Sequence, residues 1–332
     1  MAGKEQKRKQ LHYRRASFLQ PTGRTLQDLV EEAVNRLTPV SARIERLNDD
    51  AEGWQRFINT HRSVMGMEFG NLVLYAPDQN RQIIAMDDDA DELDIEHIAP
   101  PEMKDGKKRQ FLESLLYYGL KDNHVILLQS MALRARDIEL YLNWLLRTVG
   151  IFDENNAVFL NNYAPQVTQE KLERAEVKSV KIGTPLVDMS AEMAPEAPTQ
   201  GGMSSRSVRF RPWGEGLDIL RAVMPERMKD LSWEDLQSSS NLEVFVEVTY
   251  KRQTDESSQQ LLNKLTTALR HVGDEDIRIE LKGGGSIVGS ELQIKNFRQI
   301  TSYDGILDPS SVFMEMNAWL MEILERGLID AG

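Results

Sequence analysis

The pattern of hydrophobic and polar positions is most regular towards the C-terminus, where it predicts a succession of strands and helices. Leu242–Tyr250 is rich in β-branched and aromatic side chains, which is typical of a half-buried strand. Ile277–Lys282 alternates apolar and charged residues, the period of a strand with one buried face. Gly283–Gly285 predicts a turn that leads into a further strand over Leu292–Ile300. An apolar stripe then predicts a closing helix from Ser310 to Leu328.

The N-terminal part carries similar signals. Thr25 is a suitable N-cap for a helix that Pro39 ends. Two hairpins are predicted at Phe69–Met86 and Ser114–Gln129. The second is almost wholly apolar, so we expect it at the centre of a sheet that is covered on both faces. With a helix over Arg134–Arg147, the pattern predicts an α+β fold with mainly antiparallel sheets and flanking helices.

One long segment, residues 188–207, has no hydrophobic period and is rich in Pro, Gly, Ser and Ala. Such a composition predicts a flexible linker. A chain of 332 residues is long enough for two domains. We therefore expect an N-terminal α+β domain with a basic arm over residues 1–187 and a C-terminal α+β domain over residues 208–332.

Composition limits the classes of function that the protein can have. The formal net charge is −12, so the molecule as a whole repels phosphate, and nucleic-acid binding requires a local basic surface. The chain has no cysteine, which excludes disulfides and thiolate metal sites and suits a reducing cytoplasm. No apolar run approaches the roughly 20 residues that span a bilayer, and the basic N-terminus lacks the apolar core of a secretion signal. A cytoplasmic protein is expected.

The first residues form a basic arm opposed only by Glu5. Its cations are Lys4, Lys7, Arg8, Lys9, Arg14 and Arg15. Two interpretations stay open, a solvated tail and an arm that contacts phosphate. His12-Tyr13 and Phe18-Leu19 also fit a first strand that includes part of this segment.

Clusters of cations elsewhere predict contacts to the DNA phosphate backbone. In the first domain these are Lys104, Lys107, Lys108 and Arg109. In the second they are Arg206, Arg209, Arg211, Lys251, Arg252, Lys282, Lys295 and Arg298. Phe210 lies between Arg209 and Arg211, and Trp213 follows them. Arginine beside aromatic residues can bind phosphate and stack on bases. The leading hypothesis is a non-enzymatic DNA-binding protein.

Two other functions fit parts of the sequence. Many metal-dependent nucleases place an acid and an E-x-K motif on adjacent strands, and Glu280-Leu281-Lys282 has this form. The same alternation is also typical of any exposed strand face. An adaptor without nucleic-acid binding would instead use the acidic segment Asp87–Glu96 and the closing helix. No cofactor or metal is expected, because the histidines lack metal-pair spacing and no phosphate-binding loop motif is present.

The order of elements resembles the family of the phage lambda exclusion protein RexA and, more distantly, the DNA-binding subunit of Kiwa anti-phage systems. The segments that carry this resemblance are Phe69–Met86, Ser114–Gln129, Ile138–Arg147, Lys178–Thr184, Leu242–Val246, Ile277–Lys282 and the closing helix. The resemblance implies a dimeric, sequence-tolerant DNA binder that acts as a sensor in abortive anti-phage defence. It also implies a membrane effector, encoded nearby, as partner. The linker, the basic arm and the negative charge depart from the family.

Overall fold

A computed structural model describes residues 3–47, 53–86, 94–101, 105, 107–175, 177–185, 243–249, 271 and 277–330. The α-helices are α1 (Leu26–Arg36), α2 (Ala135–Thr148), α3 (Gln166–Arg174) and α4 (Pro309–Glu325). The predicted α+β class is confirmed, with a large antiparallel sheet and few helices in these residues. The predicted linker, residues 188–207, lies outside the described residues.

Fifteen strands run through the described residues. In chain order they are β1 (Lys4–Phe18), β2 (Glu45–Arg46), β3 (Gln55–Val64), β4 (Met67–Tyr75), β5 (Arg81–Ile84), β6 (Ile95–Ile98), β7 (Ser114–Lys121), β8 (His124–Leu128), β9 (Val158–Asn161), β10 (Val177–Pro185), β11 (Glu243–Thr249), β12 (Ile277–Leu281), β13 (Ser286–Val288), β14 (Lys295–Tyr303) and β15 (Ile306–Leu307).

The largest sheet has nine strands in the order β15-β14-β1-β8-β7-β4-β3-β2, with β9 also paired to β1. All of its pairings are antiparallel. The hairpin predicted at Ser114–Gln129 is confirmed as β7 and β8, and it lies centrally in this sheet. Helices α1 and α2 pack on one face and α4 packs on the other, so the sheet buries a core on each side.

Local sequence explains where these helices begin. The Thr25 hydroxyl accepts from the Asp28 amide at 3.2 Å, and the Asp28 carboxylate accepts from the Thr25 amide at 3.1 Å. This reciprocal capping satisfies two amides that have no partner inside α1. At α4 the Asp308 carboxylate accepts from the Ser310 amide at 3.1 Å, and Pro309 occupies the first turn.

A separate four-stranded sheet has the order β11-β10-β12-β13. On β12, Ile277 and Ile279 are buried whereas Arg278 is exposed, as the alternating pattern predicts. Contacts between Cα atoms divide the chain into two compact units, residues 1–163 with 294–332 and residues 164–293. The domain boundaries expected from the sequence stay a prediction.

Two expectations about strand pairing were wrong, and a third had been left open. Phe69–Met86 is not one hairpin, because β4 pairs with β3 and β7 while β5 pairs with β6. The strand expected at Leu292–Ile300 is β14, and it pairs with β1 instead of following the turn at Gly283–Gly285. That turn joins β12 to β13. The basic arm is the first part of β1, a strand of 15 residues.

Candidate nucleic-acid interface

The cations predicted from the sequence fall into several groups in the structure. Six lie outside the described residues: Lys104, Arg206, Arg209, Arg211, Lys251 and Arg252. Of the others, Lys107, Lys108 and Arg109 form one segment before β7, Lys295 and Arg298 lie on β14, and Lys282 lies in the turn after β12. The described residues therefore do not bring the predicted set together on one element.

The segment Lys107–Arg109, which we call the 107–109 cluster, lies among carboxylates. The Arg109 guanidinium is 2.6 Å from the Asp105 carboxylate, and the Lys108 ammonium is 4.0 Å from Asp78. The Arg109 guanidinium also lowers the pKa of Asp105 below its ordinary value. Opposite charges thus offset much of the positive potential that the sequence predicts for this segment.

The two cations of β14 lie on opposite faces of the strand. Arg298 is opposite Lys9 of β1 on the side of α4, where its guanidinium pairs with Glu322. This hydrogen bond lowers the pKa of the Glu322 carboxyl. Lys295 is opposite His12 on the other face. Lys295, unlike Arg298, therefore belongs to the surface that faces away from α4.

The E-x-K motif lies in the unit of residues 164–293, and its glutamate and lysine have different surroundings. The Glu280 carboxylate accepts from the Lys181 ammonium at 2.8 Å, whereas Lys282 is exposed in the turn after β12. The described residues contain no group of three or more His, Asp or Glu side chains placed to hold a metal ion. Asp274 and Asp276, the acids that precede this motif in the sequence and would complete a nuclease-like site, lie outside the described residues.

Strand pairing creates a surface that local clustering did not predict. Opposite pairs on the side of the β1–β14 ladder away from α4 are Lys4 with Tyr303, Gln6 with Thr301, Arg8 with Gln299, Gln10 with Phe297 and His12 with Lys295. We call these residues the basic face. None of them is acidic, because the only acid in the paired segments, Glu5, is opposite Ser302 on the α4 side.

An arginine and an aromatic ring meet at the centre of the basic face. The Arg8 guanidinium carbon lies 4.1 Å from the centroid of the Phe297 ring, a cation–π contact. Phe297 is still 48% exposed and Tyr303 is 42% exposed. A guanidinium on a ring keeps its in-plane N–H groups available for hydrogen bonds. The face therefore presents cations, amides and aromatic rings to solvent together.

The opposite side of the same ladder is a packed core that holds the face in place. Leu11 and Ile300 are fully buried against α4, together with Trp319 and Met316. At the end of the ladder, the Gly3 amide donates to Asp304 at 2.8 Å and Lys7 donates to the Gly305 carbonyl at 3.1 Å. The ladder is thus supported by a buried core on one side and by these two hydrogen bonds at its open end.

Sequence reasoning missed Phe297, Tyr303 and the strand role of Lys4 and Arg8. A signal was present, since Lys4, Gln6, Arg8, Gln10 and His12 are polar at every second position, while Leu11 and Tyr13 fall on the alternate positions. The high density of Lys and Arg favoured the interpretation as a tail. Local sequence contains no signal that pairs this segment with β14.

No protein-family model matches the sequence, and no curated protein matches it. None of the helices in the described residues is long and apolar enough to cross a membrane.

Proposed function

We propose that this protein is a sequence-tolerant DNA-binding protein and that the basic face is its contact surface. The observation that carries the proposal is the composition of that face, which combines Lys4 and Arg8 with exposed rings and has no carboxylate at any paired position. Such a surface can hold phosphate although the formal net charge of the chain is −12.

The chemistry of the face explains why binding is expected to tolerate different sequences. Contacts from Lys and Arg to phosphate position a protein on DNA but carry no sequence information. The side chains of Gln10 and Gln299 offer both donors and acceptors, so they adapt to different base edges. Most of the affinity is therefore expected from electrostatics, and it falls as the salt concentration rises.

Wider parts of the proposal draw on the sequence and on the family resemblance. The composition of residues 188–207 supports two domains that are joined by a linker. The resemblance supports a homodimer, a role as sensor in anti-phage defence and a membrane effector as partner. The absence of cysteine supports a cytoplasmic location. These parts stay predictions.

Binding of the full chain to a fluorescent duplex of about 20 base pairs, two helical turns, tests the proposal directly. The informative variant is Lys4→Glu/Arg8→Glu. Reversing one charge at about 4 Å from a phosphate changes the interaction by about 2 kcal/mol in water, roughly 30-fold in affinity. We expect the double variant to bind at least tenfold more weakly than wild type by fluorescence anisotropy at low salt.

The matched control is Lys107→Glu/Lys108→Glu, which changes the net charge equally at the 107–109 cluster. We expect it to bind within about threefold of wild type, because Asp78 and Asp105 already offset that segment. Equal losses in both variants would show that total charge, not the basic face, governs binding. A wild-type chain that does not bind duplex DNA at low salt would remove the proposal.

A further inference from the structure

We infer that the β1–β14 ladder enters the major groove of duplex DNA and that Arg8 contacts guanine there. This inference rests on the proposed function and adds the form of nucleic acid and the mode of contact. Its basis is the shape of the ladder together with the side chains on the basic face.

Six consecutive pairs of the ladder, Gln6–Leu11 with Asn296–Thr301, form a two-stranded ribbon. β8 pairs only with His12–Arg15 of β1, and β15 pairs only with Ser302 and Tyr303 of β14. Among the described residues, no further strand adjoins Lys4–Leu11 or Asn296–Thr301 at their outer edges. Two strands about 4.8 Å apart, with their side chains, fit a major groove about 12 Å wide, which admits a two-stranded ribbon.

The side chains on the ribbon are of the types that read base edges. Arg8 and Gln299 are directly opposite each other at its centre, and Gln10 and Thr301 flank them. Arginine forms two hydrogen bonds to the O6 and N7 atoms of guanine, and glutamine forms two to adenine. Stacking on Phe297 limits the orientations of the Arg8 guanidinium, which reduces the entropy lost when it binds a base.

The ends of the ribbon carry its remaining cations. Lys4 lies at one end of the basic face, and Lys295 lies at the other, eight pairs away. At about 3.3 Å per residue this separation is about 26 Å. Because the ribbon lies along the groove, Lys4 at its end is placed to contact one of the two phosphate backbones that border the groove. The result is phosphate binding with a modest preference for G·C pairs.

Three probes of equal length distinguish this mode from others: duplex DNA, duplex RNA and single-stranded DNA. Duplex RNA carries the same charge as duplex DNA, but its major groove is too deep and narrow for side chains to read. We expect duplex DNA to bind at least tenfold more tightly than duplex RNA. Equal affinity, or tighter binding of the single strand on the exposed rings, would overturn the groove inference and leave the proposed function standing.

A base analogue tests the role of Arg8. Replacing guanine by 7-deazaguanine removes the N7 acceptor and leaves charge and shape unchanged. We expect wild type to lose about fivefold in affinity, since one hydrogen bond of a bidentate pair is lost. Arg8→Gln should bind more weakly overall and be indifferent to the analogue, and circular dichroism would confirm its fold. An indifferent wild type would overturn the Arg8–guanine contact, whereas no binding to any duplex would remove the proposed function as well.

Discussion

Two regions of the molecule place an arginine over a phenylalanine, and they differ in what surrounds the pair. On the basic face, Arg8 lies 4.1 Å from the Phe297 ring, and none of the paired positions of the β1–β14 ladder on that face is acidic. Near the 107–109 cluster, Arg81 lies 5.4 Å from the Phe111 ring and also pairs with Glu113 at 2.8 Å. The same contact therefore leaves one guanidinium for a ligand and commits the other to a carboxylate.

The difference shows how a protein of negative total charge can keep a positive surface. Cations that are close in sequence, as in the 107–109 cluster, have acids such as Asp78 and Asp105 around them. On the basic face, the residues come from two segments about 295 positions apart, such as Gln6 and Thr301. Neither segment alone signals a binding surface, because the surface forms only when the two strands pair.

The largest expected effect concerns the core under the basic face. Leu11 is fully buried against α4, whereas Leu112, beside the 107–109 cluster, is 47% exposed. We expect Leu11→Ala to lower the free energy of unfolding by about 2–5 kcal/mol and Leu112→Ala to change it by about 0.5 kcal/mol or less. Urea denaturation measures both. Similar values for the two variants would show that the β1–β14 ladder is not supported by this core.

Elements with strong local signals could be predicted from the sequence. Capping at Thr25 located the start of α1, and the apolar pattern located α4 within a few residues. The continuous apolar run located β7 and β8, since only a central hairpin buries both of its faces.

Pairing of distant strands could not be predicted in this way. The β3–β4 turn is Met65-Gly66, and both residues have positive φ angles, 54° and 71°. Methionine is not a residue that signals such a turn, so β3 was not recognised as the partner of β4. The β1–β14 pairing depends on burial of Leu11 and Ile300 against α4, which no local window contains. The basic face was not predicted as one surface for this reason.

A second prediction uses salt to compare the two regions. Each phosphate contact contributes about 0.9 to the slope of log K against log salt for duplex DNA. Lys4→Gln should therefore reduce the magnitude of the slope by about 0.9. Lys107→Gln should leave it unchanged. Anisotropy titrations at several salt concentrations measure this, and the reverse order would assign the contacts to the 107–109 cluster.

A smaller effect is expected from the rings. Phe297→Ala removes the support of Arg8, and an exposed cation–π contact contributes about 0.5–1 kcal/mol, so DNA affinity should fall about two- to fivefold. Phe111→Ala removes the matching ring under Arg81 and should not change DNA affinity. Equal affinities for wild type and Phe297→Ala would mean that the ring does not position the guanidinium in the complex.

The smallest effect concerns Arg298, the cation of β14 that faces α4. Its hydrogen bond lowers the pKa of Glu322, so the folded chain holds a proton there less readily than the unfolded chain. The pair therefore stabilises the fold above the ordinary pKa of glutamate, and this contribution disappears as the pH falls through the lowered pKa. The pair is partly exposed, so Glu322→Gln should cost less than about 1 kcal/mol at neutral pH.

Thermal unfolding of wild type and Glu322→Gln over a range of pH measures this difference. The two melting temperatures should converge in acid, and DNA affinity should stay close to that of wild type, because Arg298 lies on the side of β14 opposite the basic face. A large gain in DNA affinity on releasing Arg298 would contradict the assignment of faces. It would mean that DNA also reaches the side of the ladder that packs on α4.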